Sequence, residues 1–160
     1  MLKQLASAMF LLFITTAATA APQKTEFVSG DGLLWSSFGR SVDFAIDASQ
    51  LDPNAAEGWL AASFFSFPSH LIMTLESTAL DSVEVDRDQA GVSGTALVVD
   101  ARSGFEGVVA FTAEFQDAKG RKKNRPQNDT MVLTVFLPTG TEIFEGPVIS
   151  GDVEVGTRRP

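Results

Sequence analysis

From residue 41 onward the apolar residues of this chain recur at every second position rather than every 3.6, a period that suits strands with one wet face. Residues 41–48 alternate Val42, Phe44 and Ile46 against Ser41, Asp43 and Asp47. Residues 105–115 place Val109, Phe111, Ala113 and Phe115 on one face, and residues 130–137 do the same with Met131, Leu133, Val135 and Leu137. These last two segments predict a hairpin. No window carries a helical stripe of any length.

Further strands are predicted at 59–67, ended by Pro68 because proline cannot donate to a ladder, and at 71–75, 80–86, 92–99, 141–145 and 148–155. Between them, residues 51–58 hold Pro53, Asn54 and Gly58 and read as a loop. Arg87, Asp88 and Gln89 form a polar turn, and Gly146-Pro147 separates the last two segments. Gly94, among β-branched residues, predicts a bulge or a close backbone approach. Short strands spaced by about 8 to 12 residues predict an all-β chain, a single antiparallel β-sandwich or small barrel of about eight strands. Periodicity leaves sandwich and barrel both open.

The first twenty residues follow a different logic. Lys3, an apolar run over 5–14 and Ala18-Thr19-Ala20 have the order of a secretory signal peptide: a positive start, a hydrophobic core and a small-residue cleavage site. The apolar run falls short of the roughly 20 residues that a spanning helix needs, so cleavage rather than stable membrane insertion is expected. The expected organisation is a signal peptide at 1–20, then an N-terminal lead with a candidate first strand at 21–40. The all-β domain follows at 41–155 and an exposed tail at 156–160. Pro22, Gly30 and Gly32 make the lead look loosely held. Export to a periplasmic or extracellular space, in a bacterium, is the expected localisation.

Without the leader, eleven Lys plus Arg face twenty Asp plus Glu, a formal charge of −9. An acidic surface of this kind repels nucleic acid and favours solubility. Cysteine is absent, which removes thiol nucleophiles, redox pairs and thiolate metal sites. A domain of this size buries roughly two-thirds of its unfolded surface and folds without disulfide staples.

The cations are concentrated. Lys119, Arg121, Lys122, Lys123 and Arg125 fall within seven residues, on the connection between the two strands of the predicted hairpin. Such a run grips a polyanion or lies solvated. Asp117 and Asp129 flank it, and turn-type hydrogen bonds that terminate strands are expected of them rather than calcium ligation, since no D-x-D-x-D-G spacing is present. Trp35 and Trp59 are the candidate ligand-facing aromatics, although burial preference favours packing in or around the core. His70, the sole histidine, has no nucleophile and orienter marked around it, so a structural or surface role is expected. Neither a metal nor a cofactor is expected.

Several short motifs run in a fixed order: Leu80-Asp-Ser-Val-Glu-Val-Asp86, Ala90-Gly-Val-Ser-Gly-Thr-Ala96, residues 109–117, Asn128-Asp-Thr130, Thr134-Val-Phe-Leu-Pro138 and Ile149-Ser-Gly-Asp-Val-Glu-Val155. In this order the chain resembles the post-COAP-type β domain, a small all-β module of exported bacterial proteins. The family's Asp-x-Gly turn is Asp117-Ala-Lys-Gly120 here, with the glycine one place later and a basic sequence around it. The family's Gly-Gly-Asn is Ser150-Gly151-Asp152. The resemblance implies fold and export and carries no activity.

The function expected is therefore an exported, non-enzymatic binding or surface-assembly module whose partner is an anionic envelope polymer or another exported protein. Two alternatives stand beside it. One is a lipocalin-like carrier with phenylalanines lining an apolar cavity, the other a small hydrolase using paired carboxylates.

Overall fold

Inward placement of every second residue turns the period-two segments into strands that share one interior. The computed structural model describes residues 24–36, 39–51, 55–67, 69–118 and 128–159. Over these the strands are β1 (Thr25–Ser36), β2 (Arg40–Leu51), β3 (Ala56–Ser66), β4 (His70–Asp86), β5 (Gln89–Asp100), β6 (Phe105–Gln116), β7 (Thr130–Leu137) and β8 (Gly140–Arg158). Each pairs antiparallel with the next and β8 returns to β1, so the sheet is a closed barrel rather than a sandwich. Closure removes the sheet's two outer edges, which would otherwise pair with other chains.

Eight strands enclose an interior just wide enough for side chains to fill, and here they fill it. Phe64 and Phe144 meet with ring centroids 4.4 Å apart, tilted by 50°, and Phe44 and Phe115 meet at 6.0 Å. Val28, Leu34, Leu133 and Val153, fully buried, complete the packing around them.

The predicted hairpin is present, with β6 and β7 paired from Phe111↔Val135 to Gln116↔Thr130. Three expectations are corrected. First, the described part of the N-terminal lead is not loosely held, and the candidate first strand in it is present. Most of it is β1, hydrogen-bonded to β2 along one edge and to β8 along the other, and it closes the barrel. Its glycines serve close approach: a Cβ at Gly30 would lie 2.2 Å from the Asp152 carbonyl oxygen.

Second, the segments at 71–75 and 80–86 are one strand, β4, bulged where its register with β5 slips between Ser77 and Ala79 and between Leu80 and Ser82. Gly94 pairs with Leu80 at that point, and a Cβ on it would fall 2.2 Å from the Ala79 carbonyl oxygen. The close approach expected of Gly94 is there, with the bulges on the partner strand. Third, the segments at 141–145 and 148–155 are also one strand, and it runs on through the expected tail as far as Arg158. Pro147 is tolerated because β8 changes partner at that place. Thr130↔Pro147 ends the ladder to β7 and Leu34↔Val148 ends the ladder to β1.

The two ends of the barrel differ. One carries the short β1–β2, β3–β4, β5–β6 and β7–β8 connections. The other carries the start of β1, the end of β8, the β4–β5 turn at Arg87 and Asp88, and the two ends of the long connection from β6 to β7.

Candidate functional site

Residues 119–127, and with them Lys119, Arg121, Lys122, Lys123 and Arg125, lie outside the described residues. What holds the two ends of that connection is described. The Asp129 carboxylate, 9% exposed, accepts the Ala118 amide at 2.9 Å on Oδ1 and the Val153 amide at 2.9 Å on Oδ2. Its backbone carbonyl accepts the Val148 amide at 2.8 Å. Asp117, also buried, donates its amide to the Asp88 carbonyl at 2.8 Å. Asp129 thus ties the start of the connection, its end and β8 into one knot. The turn-type bonds expected of Asp129 are replaced by long-range ones, to amides 11 residues before it and 24 after it, and among the described residues no cluster of His, Asp or Glu could hold a metal ion.

Beside these anchors lies a groove of about 670 Å³ whose lining includes Glu26, Glu84, Asp86 and Glu114. Glu26 is structurally engaged. Its Oε2 accepts the Val85 amide at 3.0 Å and its Oε1 the Lys24 ammonium at 3.0 Å. Glu84, Asp86 and Glu114 are exposed along the rim.

The tryptophans are not core residues. Each is 47% exposed, because both occupy outward positions of their strands. The structure does not bring them together. Trp35 pairs with Ser41 and Trp59 with Asp47, so six residues of β2, roughly 20 Å at a strand's rise, separate them. His70 is exposed at the start of β4.

A second polar assembly, at the end with short connections, was not anticipated from sequence. Asp100, 3% exposed, accepts the backbone amide of Arg102 at 3.0 Å, the Arg102 Nε at 3.1 Å and the Ser103 hydroxyl at 2.8 Å. Arg102 reaches Glu142 Oε1 at 3.2 Å, and Arg40 donates to Glu142 Oε2 at 2.9 Å while lying 4.7 Å over the Phe144 ring. A signal existed. Arg40 precedes Val42 and Phe44, Asp100 follows Ala96 and Val98, and Glu142 precedes Phe144, so all three continue an inward apolar series by one step. Their charges cancel pairwise, and the assembly closes the barrel end.

Burial alone would push the Asp100 carboxyl up, but the hydrogen bonds from Arg102 and Ser103 outweigh it and hold the group below its ordinary value. A carboxylate with a depressed folded-state pKa adds stability above its unfolded pKa. That stability is lost as pH falls through the lower folded value. Asp100→Asn is therefore expected to cost about 1–3 kcal/mol at pH 7. It should also flatten the loss of stability below about pH 4, near the ordinary aspartate value. Urea unfolding midpoints of both proteins between pH 7 and pH 2.5 check this. Parallel curves would contradict it.

No family model matches the chain, and no curated protein or solved structure matches it either.

Proposed function

We propose that the chain is an exported, non-enzymatic binding module that attaches to an anionic polymer of a bacterial envelope through Lys119, Arg121, Lys122, Lys123 and Arg125. The observation that carries this reading is the Asp129 knot, which joins both ends of the basic connection to a rigid barrel. A loop with fixed ends loses less freedom on binding than a free tail does. Binding and catalytic residues commonly sit on loops positioned by such scaffolds. The post-COAP-type resemblance and the signal-like leader are consistent with export to a periplasmic or extracellular site.

The partner choice follows from charge and face. The net acidic chain disfavours nucleic acid. The inward residues are apolar while Asp43, Asp47 and Glu114 face outward, the reverse of a lipid-embedded barrel with its outer apolar band. The carrier alternative fares poorly for a different reason: its phenylalanines would have to line a lumen, and here they meet one another across it.

The test is retention of the protein on its host's envelope fraction, beside a variant with the five cations changed to Gln. Retention that falls with salt in the parent and is absent from the variant supports the proposal. Equal retention of both contradicts it.

The hydrolase reading draws on one observation, the groove that brings Glu84, Asp86 and Glu114 to one surface. Paired-carboxylate chemistry needs one acid and one base across a bound substrate. Glu114→Gln, assayed beside the parent on a panel of chromogenic glycosides, decides it. Turnover by the parent alone would establish the reading, and no turnover by either would end it.

A further inference from the structure

Two seams of the barrel are paired over only six rungs, β6–β7 from Phe111↔Val135 to Gln116↔Thr130 and β3–β4 from Ala61↔Glu76 to Ser66↔His70, and the second of these opens where β4 bulges. Beyond Glu76 the bulges in β4 turn that strand away from β3 and across the mouth of the barrel. The Ser77 hydroxyl takes the Leu60 amide at 2.8 Å, the last link between the two strands. Further on, the β4 amides are satisfied by other strands: Val83 by the Gln50 side chain at 2.7 Å and Val85 by Glu26.

Among the described residues, residues 56–59 of β3 thus have a strand on one side and no ladder partner on the other. Burial shows the same opening. Glu57, Gly58 and Trp59 are consecutively exposed, where strict alternation would bury the middle one, and on β4 Thr78 and Ala79 are both exposed as well. Gly58 serves the paired side instead: a Cβ on it would lie 2.0 Å from the Asp47 carbonyl oxygen of β2.

An open strand edge specifies its ligand through the backbone, because unpaired amides and carbonyls at strand spacing are met by another extended chain. The side chains around this edge add a preference of charge. Trp59 is half exposed on the outer face, and three exposed carboxylates share that face. Asp47 is its register partner on β2, Glu57 lies two residues away on β3, and Glu76 pairs with Ala61. An indole face ringed by carboxylates is suited to a lysine ammonium or an arginine guanidinium.

We propose that the edge of β3 at residues 56–59 docks an extended basic peptide, which adds to the sheet as a strand and sets one cationic side chain on Trp59. The site is independent of the basic connection and opposite to it in charge, so either can fail without the other.

The test uses a labelled heptapeptide of alternating lysine and valine, the same peptide N-methylated at every internal amide, and the variant Trp59→Ala. N-methylation keeps side chains and charge while removing the backbone donors. The proposal predicts saturable binding of the plain peptide, at least tenfold weaker binding of the methylated one, and at least tenfold weaker binding by Trp59→Ala. Absence of saturable binding overturns it. So does equal affinity for the two peptides, which would mean charge attraction alone, and so does unchanged binding by Trp59→Ala, which would place the peptide elsewhere.

Discussion

Phe64→Ala should lower the unfolding free energy by about 3–5 kcal/mol, the cost of removing a fully buried aromatic ring and leaving its space unfilled. Phe64 has no exposed surface and packs at 4.4 Å against Phe144, which in turn lies under the Arg40 guanidinium. The effect therefore extends past the ring itself. A closed barrel relaxes poorly into such a void, because each strand is pinned by ladders to its two neighbours. Against a total stability of about 5–15 kcal/mol for a domain of this size, the loss would be a large share. Urea unfolding followed by tryptophan fluorescence measures it. A shift of the midpoint worth less than about 1 kcal/mol would mean that the barrel interior is less tightly filled than described.

Asp129→Ala is expected to cost about 2–4 kcal/mol, since two backbone amides lose a charged acceptor and hydrogen bonds to charged groups each contribute about 1.5–3 kcal/mol. The Val153 amide is the costlier of the two to strand, because Val153 is fully buried. The substitution also frees the start of the β6–β7 connection from its end, as Ala118 is held by the same carboxylate. Chemical denaturation gives the stability, and amide hydrogen exchange at Ala118 and Val153 reports whether these two positions open first. Unchanged exchange at both would show that the carboxylate does not hold them.

How legible the molecule was in its sequence depended on which residues carried the information. β2, β6 and β7 were legible almost to their ends, because one face of each is apolar at every second position and nothing interrupts the series. β1 was not. Its Gly30, Asp31 and Gly32 interrupt the pattern, and glycine means looseness as readily as close approach until the neighbouring strand is known. The same ambiguity hid the continuity of β8 through Gly146-Pro147, which depends on a change of partner strand that no local pattern encodes. Closure of the sheet was equally hidden, since it rests on the pairing of the first strand with the last.

At the candidate site the division runs the same way. The concentration of five cations and the flanking Asp117 and Asp129 were readable from the chain, but Asp129 bonds across strands rather than within its own turn. That one carboxylate reaches Val153, 24 residues later, was not readable. The exposure of Trp35 and Trp59 went against burial preference because both fall on the outward parity of β1 and β3, on the face that Asp43 and Asp47 share from β2. The Asp100, Arg102, Glu142 and Arg40 assembly needed the closed barrel before its members, far apart in sequence, could be seen to share one end.

The claim that the basic connection is a binding element is tested most directly by titrating the protein with soluble polyphosphate at a series of salt concentrations. The parent is compared with the variant in which Lys119, Arg121, Lys122, Lys123 and Arg125 are Gln. The account predicts that the parent binds with an affinity that falls steadily as salt rises, and that the variant shows neither the affinity nor the salt dependence. Indistinguishable titrations of the two proteins would contradict it.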